Sequence, residues 1–202
     1  MVIERKSVAI RKVDCETIMI GDIDFLTIFK DIIEEIKCEY LSYNFFTERD
    51  FEWIAQKRFW ELIRENNLPY EVFSNHPIEK GATADLAIVK YGTPYKAILQ
   101  GEAKAELIVE FKFEPSKHRK VFCKGKLEQA VVFWSEVNKD IDRINRFIYD
   151  KKTKSAVSML IDEYGRHKDR EIGGHSQWIN WGSFGNNVYN IHVLWTEISE
   201  KG

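Results

Sequence analysis

Apolar side chains recur along this chain at two different periods. Phe25, Ile28, Phe29, Ile32, Ile33 and Ile36 return at intervals of three and four, which gathers them on one stripe of an amphipathic helix. Asp24 stands where a carboxylate can cap its first turn. The helical period returns in Phe51, Ile54, Ala55, Arg58, Phe59 and Leu62. Thr47 and Asp50 form a capping-box-like pair at the start of this second helix, with Asp in the place usually held by Glu or Gln. Asn66 and Asn67 stop it before Pro69. Near the N-terminus, Val8 and Ile10, then Ile18 and Ile20, alternate as in an edge hairpin.

After Pro69 the pattern changes to strands. Leu68–Phe73 reads as a short strand, Ser74–Ala82 as a loop and Ala84–Lys90 as a strand. Tyr91-Gly92-Thr93-Pro94 is turn chemistry, and Tyr95–Gln100 reads as a further extended piece. Ala105–Phe113 follows as a strand, with Leu107, Val109, Phe111 and Phe113 on one face. Glu110 and Lys112, spaced i and i+2, share the other face. A carboxylate and an ammonium on an apolar strand are costly to bury unless they are paired or hold a ligand. Pro115 ends this strand.

Leu127, Ala130, Val131, Trp134, Val137, Ile141, Ile144 and Ile148 return to helical spacing. Either this is one long helix, or VVFW is extended and a helix starts after an N-cap at Ser135. The β-branched and aromatic content of VVFW favours the second. SAVSMLID reads as a strand, the glycine- and polar-rich stretch from Gly165 to Asn187 as a loop, and Val188–Trp195 as a last strand. Strands with helices before and between them predict an α/β sandwich around a mixed central sheet.

Length and composition fit one globular domain: 202 residues, 44% hydrophobic, 31% charged. We divide it into an N-terminal extension with one helix (1–44), a core (45–165) and a C-terminal loop and strand (166–202). A formal net charge of −2 argues against gripping nucleic acid by bulk charge, and leaves room for a local basic groove. Cys15, Cys38 and Cys123 are odd in number and scattered, which argues against a disulfide framework. The chain has no run of about 18 apolar residues and no signal-peptide pattern at its start. The expected setting is cytoplasmic.

The chemistry converges on three residues if the strands of Asp85 and Glu110 are antiparallel neighbours. Asp85 then meets Glu110 and Lys112. Two carboxylates make a hard-oxygen site suited to Mg²⁺ or Mn²⁺. A metal there can lower the pKa of bound water and stabilise charge on a phosphodiester, and the lysine can orient or deprotonate the water. Glu48, in the first turn of the second helix, can add a third carboxylate. Glu52 lies four residues on, on the same side. Beyond Pro115, Lys117, Arg119, Lys120, Lys124 and Lys126 occur without an acid up to Leu127. A basic stretch beside a metal strand suits a passing phosphate backbone, with Arg119 foremost and Lys117 and Lys120 beside it.

Asp85, 24 intervening residues, then Glu110-Phe111-Lys112, set in the order helix, strands, helix, strand, resembles the PD-(D/E)xK nuclease superfamily over roughly residues 45–165. Ala84 departs from the proline of the family name. TERDFEW, ADLAIV, VEFKFEPS with Arg119, VVFW and LIDE look like an uncharacterised bacterial group within it. The resemblance implies a restriction-endonuclease-like αβββαβ core and Mg²⁺- or Mn²⁺-dependent hydrolysis of phosphodiester bonds in DNA. In it Asp85 and Glu110 hold the metal, Lys112 assists the water and Glu48 supports the site. A double-strand cutter of this kind would act as a homodimer.

The same residues have plainer readings. Glu110 and Lys112 can be a half-buried ion pair, Asp85 a turn residue, Glu48 and Glu52 acids favoured by the helix dipole, and Glu114 a rim residue or a solvated strand end. Trp178 and Trp181 can stack on bases, but more often such tryptophans pack a loop onto a core. The alternative functions are an inactive nucleic-acid-binding member of the same fold and a protein–protein module.

Overall fold

The computed structural model describes residues 23–43, 45, 47–116, 131–184 and 189–200. The expected hairpin in 1–22 and the basic residues Lys117, Arg119, Lys120, Lys124 and Lys126 lie outside the described residues. Helices α1 (Phe25–Cys38) and α2 (Glu48–Glu65) come first. Strands β1 (Tyr70–Glu79) and β2 (Ala82–Lys90), helix α3 (Tyr95–Gln100) and strand β3 (Ala105–Glu114) follow. Helix α4 (Trp134–Tyr149) leads to β4 (Thr153–Asp162), β5 (Ser176–Phe184) and β6 (Tyr189–Ser199). The result is an α/β protein: a six-stranded mixed sheet, ordered β1-β2-β3-β4-β6-β5, with helices on both faces. Its one parallel pair is β3–β4, bridged by α4. No helix among the described residues is long and apolar enough to cross a membrane.

The two faces of β3 sort as its alternation predicts. Leu107, Val109, Phe111 and Phe113 join α1 and α2 in one core with Phe29, Phe51 and Phe59. The opposite face packs Ile108 against Ile144 and Phe147 of α4. A smaller apolar cluster on the α4 side contains Val132, Val137, Leu160 and Leu194. The caps form as expected. Asp24 accepts from the N–H groups of Leu26 and Thr27, both at 3.1 Å, and Asp50 accepts from the Thr47 N–H at 2.7 Å.

Four expectations need correction. The stretch read as a loop after Phe73 continues β1 to Glu79, because Ser74, His76, Pro77 and Glu79 all pair with β2. Tyr95–Gln100 is a helical turn and a half, closed by Gly101 at φ 77°, not an extended piece. The glycine-rich loop contains β5, held by pairing to β6 where local composition is a poor guide. Helix α4 starts at Trp134, earlier than a Ser135 cap, with Glu136 accepting from the Phe133 N–H at 2.9 Å. Val131–Phe133 is non-helical, as favoured.

Both edge strands are interrupted. On β1 the register slips between Pro77 and Glu79, and the extra residue, Ile78, is buried on the α4 side. On β5 it slips between Asn180 and Gly182. There Gly182 takes φ 96° and the extra residue, Trp181, packs edge-on to Tyr40 at 5.8 Å. These are β-bulges, one extra residue in one strand of an antiparallel pair.

Candidate active site

Strands β2 and β3 pair over only three residues: Leu86 with Val109, Ala87 with Ile108 and Ile88 with Leu107. Beyond them the strands diverge. The start of β2 follows β1, while Glu110 to Glu114 follow β4. The next register position would set Asp85 opposite Glu110. The N–H and C=O of one strand residue point to the same side, so both backbone groups of Phe111 face the gap. Asp85 Oδ2 accepts from the Phe111 N–H at 2.7 Å. Lys112 Nζ donates to the Phe111 carbonyl at 3.0 Å. The divergence therefore places the carboxylate and the ammonium at one opening in the sheet.

Two helices complete the site from opposite faces. Glu48, at the first position of α2, lies 3.5 Å from Lys112 Nζ. Glu52, one turn on, is buried and receives Asn75 Nδ2 at 3.4 Å. From the other side, the buried stripe of α4 is Val137, Asp140, Ile144 and Phe147. Asp140 lies 3.1 Å from Lys112 Nζ. Arg143 donates to Asp140 at 2.7 Å and to Glu110 Oε2 at 2.5 Å. Along α4, Asp140 stands between Val137 of one apolar cluster and Ile144 of the other.

Asp140 and Arg143 were not among the residues picked from the sequence. The signal for Asp140 was present: it sits three residues after Val137 and four before Ile144, inside the apolar stripe where an acid is costly. Arg143 is its i+3 neighbour.

The cluster contains four carboxyl groups, Glu48, Asp85, Glu110 and Asp140, against two cations, Lys112 and Arg143. Burial, then Asp85, push Glu110 up to about 9, overcoming Arg143. Glu110 Oε2 accepts from Arg143, whereas Oε1 is buried with no hydrogen-bond partner among the described residues. Burial raises Glu48 and Asp140 as well, and burial with Asp85 raises Glu52. Burial opposes the charge on Lys112, but Asp140, Glu48 and Asp85 together hold its pKa above the ordinary lysine value.

A pH dependence follows. The unfolded chain releases the Glu110 proton near 4.5, while the folded chain keeps it to about 9. Metal-free stability is therefore expected to fall as pH rises across that interval. Glu48 and Asp140 act with the same sign. Urea midpoints at about pH 5, 7 and 9 check this. Glu110→Gln should flatten the slope, and an equal slope in both proteins would refute the assignment.

Four carboxyl groups against two cations, and a buried Glu110 Oε1 with no hydrogen-bond partner among the described residues, make a donor set compatible with a divalent cation, Asp85 and Glu110 being the candidate ligands. Among the described residues no group of three or more His, Cys, Asp or Glu side chains is arranged to hold a metal.

Glu114 is neither rim nor solvated end. It is buried, and Oε2 accepts from the Val132 N–H at 2.7 Å. Glu163 accepts from the Tyr40 hydroxyl at 2.7 Å and the Ser116 N–H at 2.9 Å. Asp162 accepts from the His167 N–H at 2.7 Å. All three acids accept from backbone N–H groups, and Glu163 also from the Tyr40 hydroxyl. Trp181 is core, and Trp178 packs against Trp134 with ring centroids 6.5 Å apart.

No family model, curated protein or solved structure matches the chain.

Proposed function

We propose that this protein is a metal-dependent nuclease that hydrolyses phosphodiester bonds, with DNA as the substrate, on a restriction-endonuclease-like version of its α/β fold. The observation that carries this reading is the junction at which β2 and β3 separate. It brings Asp85, Glu110 and Lys112 together with the unpartnered Glu110 Oε1 among them. The resemblance of D…ExK to the PD-(D/E)xK superfamily agrees with it.

Asp85 and Glu110 are the residues to hold Mg²⁺ or Mn²⁺. Bound there, the ion would supply an acidified water and charge stabilisation for the phosphate. Lys112, held by Asp140 and Glu48, is placed to orient the attacking water or to neutralise charge in the transition state. Its raised pKa keeps it protonated at neutral pH, which favours the electrostatic role. Glu48 carries a raised pKa and is suited to take the proton that the water releases. Arg143 positions Glu110. In this reading Lys117, Arg119 and Lys120 contact the phosphate backbone. A homodimer would serve double-strand cutting.

A second reading has an observation of its own. Lys112–Asp140–Arg143–Glu110 is a continuous chain of ion-pair and hydrogen-bond contacts, as a structural network on an inactive member of the fold would be. One assay separates the two. Supercoiled, linear and single-stranded DNA are incubated with Mg²⁺ or Mn²⁺, and metal binding is followed by calorimetry. The nuclease reading expects cleavage, and proton release on metal binding below about pH 9. Neither cleavage nor binding would leave the structural network.

A further inference from the structure

Helix α2 shows the site only its first turns. Its solvent face has a composition of its own. Arg49, Trp53, Lys57, Trp60 and Arg64 are all exposed, with Trp53 60% and Trp60 51% accessible. At about 100° per residue these five side chains fall within an arc of about 80°. Cation and indole alternate along it. Lys57 lies over the Trp53 ring, 5.6 Å from its centroid, and Arg64 lies over the Trp60 ring at 4.5 Å.

The arc holds no acid. At its margins, Asp50 is engaged by Thr47, and Glu61 by Lys57 at 3.9 Å and Arg58 at 3.5 Å. Two large indoles in water are costly to leave uncovered, and a protein of net charge −2 gains nothing in solubility from them. Three cations at regular intervals select a polyanion, and flat exposed rings select a polyanion with stacking faces.

We infer that the Arg49–Trp53–Lys57–Trp60–Arg64 stripe is a binding track for single-stranded nucleic acid. Bases stack on the two tryptophans, and phosphates lie against the three cations. Arg49 to Arg64 spans about 22 Å at 1.5 Å per residue, and the two indoles stand about 10 Å apart along the axis. The track begins beside Glu48, so a strand lying on it leads to the Asp85–Glu110 junction. Only that last point rests on the nuclease reading; the binding stands without it.

The test uses the full chain in EDTA, so that cleavage plays no part. Anisotropy of a labelled oligothymidylate of about 20 nucleotides, longer than one site, is compared with that of a duplex of equal length. Trp53→Ala/Trp60→Ala is expected to weaken oligothymidylate binding by at least about tenfold and duplex binding far less. Arg49→Gln/Lys57→Gln/Arg64→Gln should reduce the slope of log K against log salt by about two. All five positions are exposed, and the single variants Trp53→Ala and Trp60→Ala provide a second reading of each ring. Equal affinity in wild type and both tryptophan variants would overturn the inference. So would a monomer–dimer equilibrium that the double variant abolishes while oligothymidylate binding is unchanged, which would give the stripe to a second copy. Binding as described with no cleavage by any variant or wild type would keep the track and sink the nuclease.

Discussion

Asp85→Asn is expected to slow phosphodiester cleavage by on the order of a thousandfold or more, with the fold retained. Asparagine is the informative choice because Asp85 has two duties. Its Oδ2 accepts from the Phe111 N–H at 2.7 Å, and an amide oxygen can continue to do so. Alanine would leave that donor without its acceptor, at about 1–3 kcal/mol, and would mix a structural loss with a chemical one. What asparagine removes is the negative charge that the proposed cation site needs. The same charge is the second cause of the high Glu110 pKa. Glu110 should therefore titrate below about 9 in Asp85→Asn, and the interval over which stability falls with pH should shorten from its upper end. Lys112→Met should also abolish cleavage, while leaving Glu48 and Asp140 without the ammonium between them. Rates on supercoiled DNA with Mg²⁺, beside the urea midpoint of each variant, give both answers. Cleavage that persists in both variants places the chemistry elsewhere.

Arg143→Met is expected to destabilise the metal-free protein by about 3 kcal/mol. Breaking a buried pair from one side costs about 3–5 kcal/mol, because the remaining charge is stranded. Arg143 serves two such acids: Glu110, whose side chain is wholly inaccessible, and Asp140, which is nearly so. The loss should fall at the lower end. Glu110 can keep its proton, and Asp140 still has Lys112 at 3.1 Å. With a slope of about 2–3 kcal/mol/M, the urea midpoint should drop by about 1–1.5 M at an unchanged slope. Because Glu110 keeps its proton up to about pH 9, Glu110→Gln in the same background should move the midpoint little at neutral pH, leaving Asp140 as the acid that needs the guanidinium. A midpoint unmoved by Arg143→Met would show that the cations here are not holding the buried acids.

The site was legible in the sequence to the extent that it depends on period. Glu110 and Lys112 stood out as charges two apart on an apolar strand. Thr47 marked the helix start that presents Glu48. That Asp85 would meet them required a guess about pairing, which the antiparallel β2–β3 register supports. Asp140 is hard to read from the sequence because its neighbours Val137, Ile141 and Ile144 satisfy a helical period without it. Arg143 had no signal of its own, since its role comes from the approach of α4 to β3 across the sequence. The strand errors have a common cause. Ser74–Glu79 and Ser176–Phe184 are polar or glycine-rich, and both are edge strands. Pairing to one neighbour makes them extended, and local composition does not record that. The Trp53–Trp60 stripe was also hidden. Tryptophan counts as apolar by composition, and its place off the Phe51–Leu62 stripe is visible only when each position is set on the helix; the structure leaves both rings exposed.

The slips at Ile78 and Trp181 bear on how copies of this chain can associate. The flanks of a sheet are where chains most readily zip together, through a row of open amides and carbonyls. Here each outer strand is broken partway along, one flank by a proline followed at once by a bulge, the other by a bulge at Gly182. A second copy adding itself as a seventh strand would lose register within a few residues. Self-templated fibre growth is handicapped for the same reason. Among the described residues the helical faces, where shape and charge and not backbone hydrogen bonding choose the partner, are the more uniform surfaces for a second copy.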